Sequence, residues 1–148
     1  MLKITRLNKA SDFDKVKETR QEFVDFLYES LGKYGDAKED INKCIEYALS
    51  ENPAEGGTIY LAFYDEKLAG GVIMNNTGMS GYIPENILVY IAVGEKFRGK
   101  GIGKQLVQEV IKNTKGDIKL HVEYDNPAIE LYKKLGFETK YAEMRLKN

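Results

Sequence analysis

The chain carries one cysteine and one histidine among its 148 residues. A lone Cys44 excludes an internal disulfide and points to a reducing compartment, the cytoplasm. One histidine with one cysteine also argues against a zinc site of the His/Cys kind, and no metal is expected. Apolar runs are short: none reaches the roughly 20 residues a membrane span needs, so no membrane partner is expected. The opening Met1-Leu-Lys-Ile-Thr-Arg6 has no long apolar segment, and no secretory leader is expected. An excess of one charge is missing too. Lys and Arg number 22 against 23 Asp and Glu, for a net charge of −1. That balance carries no nucleic-acid footprint.

No internal repeat, low-complexity tract or linker divides the sequence, so residues 1–148 are read as one domain. Leu2–Leu7 reads as a strand. Ser11 precedes Asp12 and Asp14, a helix start, and Phe13, Val16, Arg20, Phe23, Leu27 and Leu31 keep helical spacing. That pattern predicts one helix over 12–31, stopped by Gly32 and Gly35. A second helix is predicted over Lys38–Ser50. Thr58–Tyr64 and Leu68–Asn75 read as two strands joined by a hairpin-length connection. Ile87–Val93 is a further strand and Gly103–Asn113 a helix. Ile118–Val122 is a strand, and Pro127–Leu135 a helix with Gly136 at its C-terminal cap. Tyr141–Leu146 is predicted as a last strand. The fold class is therefore α/β (α+β), a mixed sheet flanked by about four helices in the order β-α-α-β-β-β-α-β-α-β.

The most informative stretch is the apolar run Ile87–Val93 followed by Gly94-Glu-Lys-Phe-Arg98-Gly-Lys-Gly101-Ile-Gly103-Lys104. Strand, glycine-rich turn and helix start together aim bare backbone N–H groups at an anion. Glycine allows close approach, and the first helical turn has amides with no internal partner. Arg98, Lys100 and Lys104 add local positive charge, which suits a small anionic ligand. Two familiar phosphate motifs fail here. A P-loop requires Ser or Thr after Gly-Lys, and Gly103-Lys104 is followed by Gln105. A dinucleotide fingerprint requires G-x-G-x-x-G, and glycines at 99, 101 and 103 bring the third one residue early. A nucleotide hydrolase is accordingly a weak reading.

Arg98-x-x-Gly101-x-Gly103 resembles the acyl-CoA pyrophosphate loop of the GNAT acetyltransferase superfamily. His121-Val-Glu-Tyr-Asp-Asn126-Pro-Ala-Ile-Glu-Leu-Tyr132-Lys-Lys-Leu-Gly136-Phe137 is similar to its second signature, and the order of elements matches. The resemblance implies transfer of an acetyl group from acetyl-CoA to an amine-bearing acceptor by direct attack in a ternary complex. It implies that the backbone of Arg98, Gly99, Lys100, Gly101, Ile102, Gly103 and Lys104 holds the pyrophosphate. Ile91, Ala92 and Val93 would receive the pantetheine arm, and an N–H at Ile91 or Val93 would polarise the thioester carbonyl. Tyr132 is implied as the general acid that protonates the leaving thiolate. Its plainer reading is packing.

An amine of pKa ~10.4 is almost wholly protonated near neutrality, so a base or a water relay is needed. His121 is the first candidate, with an ordinary pKa of ~6.5. Glu123 would share its face if the strand continues so far, and Glu85 is a third candidate. Val89 stands where many relatives hold an acid. The family's asparagine position falls on Asp125, with Asn126 one residue late. Asn126 is preferred for the pantetheine because an amide both donates and accepts, and a helix cap is the alternative. By family analogy Phe26, Tyr28, Tyr34, Met79 and Tyr82 are candidate walls of the acceptor pocket. Asp36, Glu39 and Asp40 read as a solvated helix start. Dimers are frequent in the family, which leaves a homodimer open. A non-catalytic acyl-CoA-binding module is the alternative function.

Overall fold

In the computed structural model, which describes residues 1–148, the strands form one five-stranded sheet in the order β1-β2-β3-β4-β5. These are β1 (Leu2–Leu7), β2 (Gly57–Tyr64), β3 (Lys67–Asn76), β4 (Asn86–Val93) and β5 (Ile118–Leu120). The first four pair antiparallel, and β5 lies parallel to β4. Asp65 and Glu66, both at positive φ, make the two-residue turn between β2 and β3, the hairpin geometry whose twist matches the strands. Helices α1 (Arg20–Leu31) and α2 (Lys38–Ala48) precede β2. Helix α3 (Ile102–Asn113) connects β4 to β5, and α4 (Ala128–Lys134) follows. No helix is long and apolar enough to cross a membrane.

Strand alternation divides the core between two faces. Leu7, Ile59, Leu61 and Ile73 pack with Phe23, Leu27, Ile41 and Ile45 of α1 and α2. Tyr60, Ala62, Val72 and Met74 pack with Ile102, Leu106 and Val110 of α3 on the other face. Gly71 is fixed by close approach: a Cβ there would lie 2.6 Å from Cε1 of the Phe23 ring.

Two expectations are corrected. The predicted helix over 12–31 is broken. A short 3-10 turn, Ala10–Lys15, comes first, and α1 starts only at Arg20. Thr19 is its N-cap: its side chain accepts the Glu22 N–H at 3.1 Å, and the Glu22 carboxylate accepts the Thr19 N–H at 3.1 Å. This reciprocal box sets the start, whereas Ser11 caps nothing. Asp12 is buried and accepts the N–H groups of Asn8 and Lys9 at 2.8 and 3.2 Å, holding the preceding turn. The other correction is the last strand. Residues 141–146 pair with nothing, and Tyr141, Met144 and Leu146 are exposed. Alternation alone does not make a strand. It needs an apolar surface and a neighbour to pair with, and this segment has neither.

Replacing Thr19 by Ala should lower stability by about 1 kcal/mol, the usual worth of such a cap. Ser11→Ala should change it little. Urea midpoints of the two variants check this, and equal losses would contradict the assigned start of α1.

Candidate active site

Strand β4 is paired on only one side over its second half. Its register with β5 ends at Leu88↔Leu120. On the β3 side a bulge intervenes, because Ile73 faces Tyr90 while Met74 faces Leu88, leaving Val89 unopposed. The bulge turns both Val89 and Tyr90 toward the α1–α2 face. Beyond it, the Gly94 N–H donates to the Ala69 C=O at 2.8 Å. Antiparallel pairs alternate, so Ala92 and Tyr90 also direct their main-chain groups at β3. Ile91 and Val93 therefore direct theirs at the open side. Ala92, grouped with its neighbours as a backbone partner, has N–H and C=O occupied within the sheet and presents a buried methyl to the α1–α2 core.

After β4 comes a 3-10 turn, Glu95–Phe97, and then the glycine loop. Gly99 and Gly101 hold φ of +81° and +77°, conformations an L side chain adopts only at a cost. A Cβ at either position would meet nothing of the protein within 4 Å, so the backbone, not crowding, requires glycine. Gly101 is the N-cap of α3. The first amide to find a helical acceptor is Gln105, whose N–H reaches the Gly101 C=O at 3.1 Å. The N–H groups of Gly99, Lys100, Gly101, Ile102, Gly103 and Lys104 have no protein acceptor. These consecutive bare donors lie at the positive end of a helix dipole.

The three cations have different surroundings. Arg98 donates from Nε to the Val93 C=O at 3.1 Å and from Nη2 to the Ser30 C=O at 3.0 Å. It thus ties the loop to the last turn of α1, whose carbonyls lack helical donors. Lys100 holds its ammonium 5.2 Å from the Tyr64 ring centre. Lys104 is exposed.

Helix α4 closes on the same place. The position of a Cβ on Gly103 is 3.7 Å from both Leu131 Cδ2 and Val93 Cγ2, so the start of α3, the end of β4 and α4 converge. Tyr132 follows Leu131 and is only 7 % exposed. The Phe137 N–H donates to the Tyr132 C=O at 3.0 Å and the Gly136 N–H to the Lys133 C=O at 3.1 Å. This is a Schellman cap with its usual apolar contact, here the Tyr132 and Phe137 rings edge-on at 5.8 Å. The spacing of Tyr132, Gly136 and Phe137 thus has a mechanical origin. Burial pushes the Tyr132 phenol up to about 12, and its hydroxyl has no partner in the protein.

Other site candidates are placed as follows. β5 ends at Leu120, so His121 and Glu123 lie beyond it and alternation does not put them on one face. His121 is exposed at the point where β4 and β5 part. Glu85 is at the opposite end of β4, where its carboxylate accepts the Asp117 N–H at 2.9 Å; that bond holds it below the usual carboxylate range. Asn126 Oδ1 accepts the Ala128 N–H at 2.9 Å, a local turn that leads into α4 and leaves the amide donors of Asn126 free. Asp125 pairs with Lys33 at 3.0 Å, and its C=O accepts the Tyr34 hydroxyl at 3.2 Å. Tyr28 lines a shallow, open depression between α1 and α2. Met79 and Tyr82 are exposed on the loop before β4. Sequence reasoning missed a bond from the Tyr90 hydroxyl to Asp36 Oδ2 at 2.5 Å, because no local pattern links residues 54 apart.

With this geometry in place, the family relationship is decided by a family model, the Acetyltransferase (GNAT) family, which matches residues 17–137. The chain belongs to the GNAT acetyltransferase family. Solved GNAT structures share its fold. A ribosomal-protein-alanine N-acetyltransferase from Brucella melitensis biovar Abortus 2308 superposes with a TM-score of 0.64 at 19% identity, covering 100% of each chain. A GNAT family protein from Streptococcus pneumoniae TIGR4 gives 0.65 at 19%, over 100% of this chain and 98% of its own. An aminoglycoside acetyltransferase from an uncultured soil metagenomic sample, solved with sisomicin, gives 0.64 at 20%, over 99% and 96%. No curated protein matches the sequence.

In the free GNAT protein, amide hydrogens of residues 99–104 should exchange near unfolded-chain rates, while those of Leu106–Val110 are protected. Protection across 99–104 without ligand would mean that the loop's donors are internally paired.

Proposed function

We propose that the protein is an acetyl-CoA-dependent N-acetyltransferase in which the acceptor amine attacks the thioester directly in a ternary complex. The run of bare amides over Gly99–Lys104 at the start of α3 carries this reading. It gives a diphosphate more donors than one helix end would. The open side of β4 next to it offers alternating N–H and C=O groups, which suit the two amides of a pantetheine arm. The thioester supplies an acyl carbon open to nucleophilic attack.

The chain's own groups then do three things. The N–H of Ile91 or Val93 donates to the carbonyl oxygen as negative charge builds there. One such donor is worth about 10²–10³ in kcat. His121, where β4 and β5 part, takes the proton that the amine must lose, directly or through water. Tyr132 gives its phenolic proton to the sulfur as the C–S bond breaks and the N–C bond forms. A phenol held at about 12 by burial keeps that proton throughout the working pH range. Asn126 offers its free amide N–H₂ to the arm. The reading takes residues 1–148 as one domain, acting in the cytoplasm without a metal.

One observation favours a second reading. Val89 is turned into the α1–α2 face and cannot act as a base, which suits a module that binds acyl-CoA without transferring the acyl group. Free-thiol release with a panel of amines separates the two.

Tyr132→Phe should lower kcat by about 10²-fold or more with acetyl-CoA affinity nearly intact; a lost affinity with normal kcat would contradict the acid role. Because the phenol is raised, the wild-type rate should show no loss near pH 10 from its ionisation. Gly101→Leu should abolish calorimetric acetyl-CoA binding, and unchanged affinity would remove the loop from the account.

A further inference from the structure

Arg98 sits one residue before the bare amides, yet its two hydrogen bonds lead elsewhere. Nε donates to the Val93 C=O at 3.1 Å and Nη2 to the Ser30 C=O at 3.0 Å. The first bond completes a clamp on one peptide unit. The Gly94 N–H of that unit donates to the Ala69 C=O at 2.8 Å, so the Val93–Gly94 peptide is held at both ends. Of the main-chain groups that β4 turns to its open side, the Val93 carbonyl is thereby occupied.

The second bond answers a local shortage. The C-terminal end of a helix carries partial negative charge and favours a cation. Helix α1 has no basic residue in its last turn, and that turn holds Glu29, an acid, instead. The missing cation comes from Arg98, 68 positions further along the chain. Both of its acceptors are neutral carbonyls, so the guanidinium keeps its full charge. A guanidinium has five N–H donors in a fixed fork. Nε and Nη2 use one edge, and Nη1 has no partner in the protein.

We propose that Arg98 is a positioning residue that transmits acyl-CoA binding to the end of α1. The diphosphate takes the free Nη1 edge, while the other edge keeps the Val93 and Ser30 carbonyls. Loading the glycine loop then stiffens the last turn of α1 and the turn Gly32–Tyr34 after it. That turn also holds Asp125, through Lys33 and the Tyr34 hydroxyl, so the effect reaches the segment after β5. The link is reciprocal: whatever orders the end of α1 tightens acyl-CoA by the same factor. This rests on the acyl-CoA reading of the loop and adds a path from the loop to a helix that carries none of the bare amides.

The test is amide hydrogen exchange of the whole chain, with and without saturating coenzyme A. The reporters are Glu29, Ser30 and Leu31 in the last turn of α1, and Gly35, whose N–H donates to the Gly32 C=O at 3.2 Å. Coenzyme A should slow their exchange about tenfold, as one added charged hydrogen bond implies. Arg98→Lys keeps the charge but has no planar fork to hold two carbonyls and an anion together. It should lose most of the slowing at saturating coenzyme A. Lys104→Gln removes a neighbouring charge with no contact to α1; it should weaken coenzyme A binding and leave the slowing at saturation intact. Unchanged or faster exchange in the loaded wild type overturns the proposal, as does slowing that survives Arg98→Lys. A merely structural brace would make Arg98→Lys speed exchange equally in the free and loaded protein, and that result overturns it too. Calorimetry separates the two levels. No coenzyme A binding refutes the acyl-CoA reading itself, whereas binding without slowing refutes only the link through Arg98.

Discussion

Strand β4 cannot be satisfied on both sides, and the rest of the site depends on that shortage. Its neighbour β5 has three residues and leaves it at Leu88. On the other side the bulge at Val89 shifts the alternation, so that Ile91 and Val93 point their main-chain groups away from β3. A buried, unpaired peptide group is costly, and a row of them at a sheet edge invites an extended partner. The fold leaves this edge open beside α3 and α4.

The surrounding elements hold the opening apart. The last turn of α1 and the turn after it reach both arms. Arg98 of the loop after β4 donates to the Ser30 C=O, and Lys33 and Tyr34 hold Asp125 after β5. Surface ion pairs such as Lys33–Asp125 contribute little stability singly. Here they join the turn after α1 to the segment that follows β5. Arg98 shows the same economy: its hydrogen bonds brace the loop, and its charge remains beside the bare amides. Tyr132 is held by the cap that ends α4, so one local motif both stops a helix and fixes a phenol.

Much of this was legible in the sequence where the signal is local. The glycine loop, the strand before it and the helix after it follow from residue types at fixed spacing, and so does the Gly136 cap. The start of α1 was legible too, as Thr19-x-x-Glu22, but the apolar spacing that continues back to Phe13 obscured it. The last strand failed for a different reason. Residues 141–146 have the alternation of a strand, but pairing depends on a neighbour that no local pattern reports. The contacts Arg98–Ser30, Lys33–Asp125 and Tyr90–Asp36 join residues far apart in the chain, and only the tertiary structure brings them together. Asp36 read alone was a solvated helix start; it is exposed as expected, but its carboxylate also accepts the hydroxyl of the buried Tyr90.

The central claim is that the open side of β4 and the amides of the glycine loop bind one ligand as a continuous surface. Amide chemical shifts of the labelled protein titrated with acetyl-CoA test it most directly. The account predicts large changes at Ile91, Val93 and each of Gly99–Lys104, with Tyr90 and Ala92 little affected because their amides face β3. Changes of similar size along all of β4, or none over Gly99–Lys104, would contradict it.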